Sequence, residues 1–232
     1  MENLHVSDNK RYLMKGSETF FWLADTGWLI FGNISEEEAY NYLKNRADKG
    51  FNVIQAVLVY STKELESVNK MYWGGADRIN DEEYWQHVER IIKMADKLGL
   101  YMALLPSWGS LLKNNLITSE NVLVYGRFLA ERLEKYSNII WVLGGDIKAD
   151  NYVEIYRKLG RYFKEKMPDK LITFHPFGRC ASSMWFADDS WLDFNMFQSG
   201  HRRYGQRKGD GDYPIKENTE EDNWRFVEAS TL

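Results

Sequence analysis

Residues 137–150 read SNIIWVLGGDIKAD: four aliphatic residues and a Trp run into two glycines, and the run ends on one carboxylate, Asp146. A nearly continuous apolar stretch of this length fits a strand buried on both faces, as in a parallel sheet flanked by helices. The Gly-Gly pair lets the backbone turn sharply at the strand end and lets a ligand come close. The apolar strand is expected to keep the Asp146 carboxyl partly out of water. Desolvation raises a carboxyl pKa, which a general acid near neutral pH requires. The competing role is a helix cap, for which Asp150 is a rival, and this stretch alone balances the two evenly.

The same alternation of strand and helix extends in both directions. Residues 20–28 (FFWLADTGW) predict a first strand, and residues 51–60 (FNVIQAVLVY) a second. Residues 100–108 (LYMALLPSW) predict a third strand, 138–146 the fourth, 171–178 (LITFHPFG) the fifth and 192–200 (LDFNMFQSG) the sixth. Between them lie stretches of helical period. Ser35 with Glu38 makes a capping box and Gly50 a stop. Trp85, Val88, Ile91, Ile92 and Ala95 form one apolar stripe that ends at Gly99, and Ser119 is the expected cap of the third helix. Residues 151–167 predict a fourth helix, 182–191 a short helical crossover, and 219–230 the start of a last helix.

Strands alternating with helices imply parallel βαβ units in one domain over residues 1–232, with no repeat or linker to divide it. An open doubly wound sheet, in its nucleotide-binding forms, needs a Gly-rich phosphate turn after the first strand. ADTGW at residues 24–28 is not one. A (β/α)8 TIM barrel needs polar and aromatic residues at the C-terminal ends of several strands. Asp25, Tyr60, Ser107, Trp108, Asp146, His175, Gln198 and His201 fall there. The barrel is the better fit, with about six βα units present.

Composition excludes several functions. A formal net charge of −4 offers no basic face for nucleic acid, and HRRYGQRKGD at 201–210 is one short mixed cluster. The lone Cys180 excludes an internal disulfide and a Cys-based zinc site. No signal-peptide core or membrane-length apolar run occurs, so the chain as given reads as soluble and cytoplasmic, with export left open. No H-x-H, H-E-x-x-H or G-x-S-x-G motif occurs. No cofactor or metal is therefore expected, and PSWGS at 106–110 is no nucleophile elbow. Most aromatics fill the core, but Trp28, Trp108, Phe177 and Trp185 sit near strand ends, where flat faces suit sugar rings. His175 with Arg179, and Asn195, Gln198 and His201, follow successive strands and favour a site there. Asp25 and Gln55 are weaker candidates, since polar residues inside a barrel also pair with one another.

FFWLADTGW, NIIWVLGGD, FHPFGR, WLDFNMFQSGH and DNWRFVEA, in this order and spacing, resemble the apiosidase-like glycoside hydrolases. These are a bacterial family of TIM-barrel enzymes acting on plant polysaccharide side chains, and the similarity runs from about Lys10 to the final residues. The resemblance implies a retaining, exo-acting glycosidase with a carbohydrate substrate. It makes Asp146 the acid/base and suggests that Asp25, Trp108, His175, Gln198 and His201 line the sugar subsite. Trp28, Gln55 and Arg179 join them from their strand-end positions. In the family, the segment like NWRFVEA precedes a strand whose end carries a second carboxylate, in a motif resembling DGEP; this chain stops at ASTL. The resemblance and the strand count together imply a barrel lacking its last two strands. Such a chain is expected to be inactive for want of a nucleophile and to self-associate through open edges. Glu220 and Glu221, after Thr219 at the expected start of the last helix, are expected to favour its positive end rather than act as the nucleophile. A non-catalytic carbohydrate-binding relative and an associating structural fragment stand as alternatives.

Overall fold

The computed structural model describes residues 1–32, 34–60 and 81–199 of the 232-residue chain. The expected last helix, Glu220, Glu221, the basic cluster and His201 lie outside the described residues. The chain opens with β1 (Leu4–Val6), β2 (Leu13–Lys15) and β3 (Glu18–Phe20), a small antiparallel sheet that the sequence reading did not anticipate. Five parallel strands follow: β4 (Ala24–Thr26), β5 (Val53–Val57), β6 (Tyr101–Leu105), β7 (Ile139–Ile147) and β8 (Ile172–Pro176). Each pairs with its sequence neighbours, in the order β4-β5-β6-β7-β8. Consecutive parallel order with a helix in each crossover is the progression of a (β/α)8 barrel wall.

Alternation along the strands sorts the core into two layers. Val53, Val57, Tyr101, Ala103, Leu105, Ile140 and Val142 pack together on the inner face. Ile54, Ala56, Met102, Leu104, Trp141 and Phe174 face the helices. Those helices are α1 (Glu36–Asp48), α2 (Glu82–Lys97), α4 (Val122–Leu133) and α5 (Val153–Lys166), with a short α3 (Gly109–Lys113) after β6. The Ser35–Glu38 capping box forms as expected, and the stripe from Trp85 to Ala95 is buried throughout. The cap of α4 is corrected. Its N-cap is Asn121, whose Oδ1 accepts the Thr118 N–H while its amide donates to the Leu116 carbonyl. The unforeseen α3 and the turn after it shift the helix start past Ser119.

Two expected strands also change. Residues 20–28 are not one strand: β3 belongs to the N-terminal sheet and β4 to the parallel one. Asn52 bridges the break, accepting the Leu23 N–H and donating to the Phe21 carbonyl. The sixth segment lies along β8 without joining its ladder. Asp193 donates its N–H to the Ile172 carbonyl and takes the Ile172 N–H on its carboxylate, and the Thr173 hydroxyl donates to the Phe194 carbonyl. Side chains thus occupy positions that a backbone ladder needs. Only β10 (Phe197–Gln198) pairs regularly, antiparallel to β9 (Cys180–Ala181); α6 (Ser183–Phe186) is the short crossover helix.

The N-terminal sheet docks at the start of the parallel strands. Phe20 meets the Tyr101 ring edge-on at 5.4 Å, and the Tyr101 hydroxyl donates to the Glu2 carbonyl. At the opposite end, Tyr84 of α2 donates to the Leu58 carbonyl and Tyr125 of α4 to the Pro106 carbonyl, tying down the chain where it leaves β5 and β6. Among the described residues, no helix is long and apolar enough to cross a membrane.

Candidate active site at the C-terminal ends of the strands

At the end of β7 the backbone leaves the ladder. Gly144 pairs with His175, but the next pair is Ile147 with Pro176, so Gly145 and Asp146 bulge out. Gly144, Gly145 and Asp146 carry φ values of 97°, 112° and 46°. The first two conformations favour glycine, and no side chain would fit: a Cβ on Gly144 would strike the His175 carbonyl, and one on Gly145 would lie 2.8 Å from the Trp108 ring. Asp146 holds a left-handed conformation costing about 1 kcal/mol or more for a non-glycine residue. Gly109 seals the arrangement, since a Cβ there would meet the Gly145 carbonyl at 2.5 Å.

The bulge carries Asp146 into a cavity of about 630 Å³ at the ends of the strands. Trp28, Tyr60, Trp108 and His175 give it aromatic walls. Trp108 sits 5.2 Å from Trp28, 5.4 Å from Tyr60 and 5.9 Å from His175 between ring centroids. Gln55 and Thr26, register partners on β5 and β4, and Leu29 and Gln198 complete the lining. The Asp146 side chain is 41% exposed and that of His175 9%. The carboxyl is therefore more open to water than the expected desolvation requires, although its Oδ1 is buried with no hydrogen-bond partner. Gln198 Oε1 is in the same condition. Asp146 and Gln198 thus bring polar side chains to a pocket walled by rings, a chemistry matched by a ligand with hydroxyl groups and apolar C–H faces.

His175 accepts the Asp146 backbone N–H on Nδ1 at 3.4 Å. Burial pushes its pKa below the ordinary value, with the Asp146 carboxylate opposing that shift. The helix-cap alternative for Asp146 fails. The N-cap of α5 is Tyr152, and Asp150 instead accepts the Trp185 indole N–H. Among the described residues, no three of His, Cys, Asp and Glu converge as metal ligands would.

Trp28, Gln55, Trp108, Asp146, His175 and Gln198 are thus brought together around one cavity. Asp25 is not. Its carboxylate accepts the Tyr42 hydroxyl at 3.0 Å and pairs with Arg46 Nε at 2.9 Å, both on α1. Alternation explains the correction: Thr26 and Trp28 share the inner face, so Asp25 points to the helices. The same parity argument would have found Thr26, which the sequence reading missed; no comparable signal marks Leu29. Arg179 is buried and does not line the cavity. Its backbone N–H donates to the Gln198 carbonyl, so it holds Gln198 through the main chain. Trp185 packs on Phe174, and Phe177 lies under Lys148 rather than in the cavity wall.

A family model described as "Apiosidase-like, catalytic domain" matches residues 7–231. The chain belongs to the apiosidase-like family. Two solved structures resemble this apiosidase-like chain closely. One is described as a glycoside hydrolase, with 43% identity and a TM-score of 0.86 over 99% of this chain and 53% of that one. The other is a glycoside hydrolase family 5 protein from Bacteroides vulgatus, with 43% identity and a TM-score of 0.83 over 98% and 51% of the two chains. The chain therefore spans about half the length of these relatives. An endo-1,4-beta-mannanase from Rhizomucor miehei, at 8% identity and a TM-score of 0.57 over 75% and 60%, shares the fold alone. No curated protein sequence matches the chain. The α/β fold is that of the (β/α)8 barrel, of which the described residues form five consecutive strands.

Proposed function

We propose that the site hydrolyses glycosides with retention, acting from the chain end on side chains of plant polysaccharides, with Asp146 as general acid/base. The observation that carries this reading is the delivery of one carboxyl, by the bulge that follows Gly144, into an aromatic-walled cavity at the strand ends. Trp28 and Trp108 offer faces for a sugar ring, and Gln55, His175 and Gln198 offer polar contacts to its hydroxyls. Asp146 would give its proton to the glycosidic oxygen as the bond breaks, then take a proton from the water that completes hydrolysis. A retaining mechanism also needs a second carboxyl about 5–5.5 Å away as nucleophile. Asp146 is the sole carboxylate among the described residues that line the cavity. That favours, as a second reading, a carbohydrate-binding site without hydrolysis.

A leaving-group series in the protein that carries this chain separates them. Asp146→Asn should lower turnover of unactivated glycosides about 10²–10⁴-fold, and that of aryl glycosides with acidic leaving groups far less in the first step. Near wild-type turnover of an unactivated glycoside by this variant would remove Asp146 from the acid/base role. Saturable sugar binding with no turnover by the wild type would favour the second reading.

A further inference from the structure

The β7 bulge takes the Asp146 N–H out of the strand ladder, and a backbone donor in a half-buried position needs another acceptor. The acceptor is a side chain, His175 Nδ1, reaching across from β8. An imidazole nitrogen accepts only when it carries no proton, so this contact requires a neutral ring with its proton on Nε2. The surroundings favour that state. The His175 side chain is buried, with Trp28 and Trp108 rings at 5.6 and 5.9 Å. The Asp146 carboxylate on β7 lies beside it, with Oδ1 4.0 Å from Nδ1. Among the described residues, Tyr60 after β5 is the other titratable group lining the cavity, and Gln55 from β5 and Gln198 from β10, which also line it, are neutral.

We propose that His175 is a positioning residue: as a neutral imidazole it holds the Asp146 peptide N–H through Nδ1, which keeps the left-handed Asp146 carboxyl aimed into the cavity, and protonation of the ring releases it. A protonated Nδ1 would point a hydrogen at the Asp146 N–H and draw the carboxylate toward itself. Asp146 would then leave the geometry that proton donation demands, and displacement of a catalytic group by about 1 Å costs on the order of 10²-fold in rate. Acid inactivation would follow from the histidine, not from the carboxyl it serves. This inference rests on Asp146 being the proton donor, but its structural half is measurable without turnover.

Asparagine and glutamine separate the two nitrogens, because the Asn amide oxygen can occupy the Nδ1 position whereas the Gln amide reaches the Nε2 position. In the protein that carries this chain, His175→Ala should lose about 10²-fold in kcat/KM on a poor leaving group and less than about tenfold on an activated aryl glycoside. His175→Asn should recover most of that loss and flatten the acidic limb of the pH profile; His175→Gln should not. Histidine-selective 15N NMR of the wild type should show the Nε2–H tautomer, and the Asp146 amide resonance should move with His175 titration. Rescue by Gln instead of Asn, or equal loss on both leaving groups through KM, would make His175 an ordinary sugar contact and overturn the proposal. A ring protonated on Nδ1 at neutral pH would overturn it even in a protein that turns over nothing. Absence of turnover with the expected tautomer and coupled amide would instead retain the contact and remove the hydrolytic reading.

Discussion

A carboxylate takes its role from what its oxygens touch, and Asp25 on β4 and Asp146 on β7 show the two outcomes within one sheet. Asp146 Oδ1 is buried without a donor beside the cavity, whereas Asp25 is saturated by Tyr42 and Arg46. Asp25→Asn should therefore act on stability, not on sugar affinity. The pair is about a third exposed on each side, so solvent screening limits the expected loss to about 1 kcal/mol. Urea unfolding together with a sugar titration checks this. A weakened sugar affinity at unchanged stability would put Asp25 back in the binding site.

Elements are set by local chemistry where the chain is amphipathic and by close packing where it is not. At the start of α1 the Ser35 hydroxyl accepts the Glu38 N–H while Glu38 reaches back to the Ser35 N–H. Ser35→Ala should cost about 1 kcal/mol, as N-cap losses do, whereas Ser119→Ala should stay within about 0.5 kcal/mol because Ser119 caps nothing. Thermal melts of the two variants decide whether α4 starts where the structure has it. On α5, Gly160 lies against the buried Trp191 ring, and a Cβ would collide with it. Gly160→Ala gains about 1 kcal/mol of helix propensity but overpacks this contact at about 1–3 kcal/mol. A net loss of stability is expected, and a raised melting temperature would show that α5 and Trp191 separate without strain.

At the scale of the whole molecule, His175 sits where β8 meets the strand-end cavity, and the protonation of that ring enters folding itself. Its folded pKa lies below the ordinary value of 6.5 because burial disfavours the cation. Between the two values the unfolded chain binds a proton that the folded chain does not. Stability therefore rises as pH climbs toward about 6.5 and falls as pH drops through that window. His175→Asn should lose this slope relative to the wild type. Urea midpoints at pH 5 and 7.5 measure it, and equal slopes in the two proteins would mean that His175 titrates alike folded and unfolded.

Periodicity along the chain was enough for the parallel strands, their helices, the Ser35 cap and the strand-end residues that meet in the cavity. These depend on neighbours two to four positions apart, which a sequence states directly. The delivery of Asp146 was legible for the same reason, since Gly-Gly before a carboxylate is a local signal. Only the tertiary structure decided the rest. It gave Asp25 its partners Tyr42 and Arg46 on α1, gave the Asp146 N–H to a histidine 29 residues away, and replaced the sixth ladder with contacts from Asp193 and Thr173. It also sent residues 1–20 to dock on the start of the barrel strands. Each of these outcomes turns on which distant donor meets which acceptor after the chain has closed, and apolar periodicity carries no record of that.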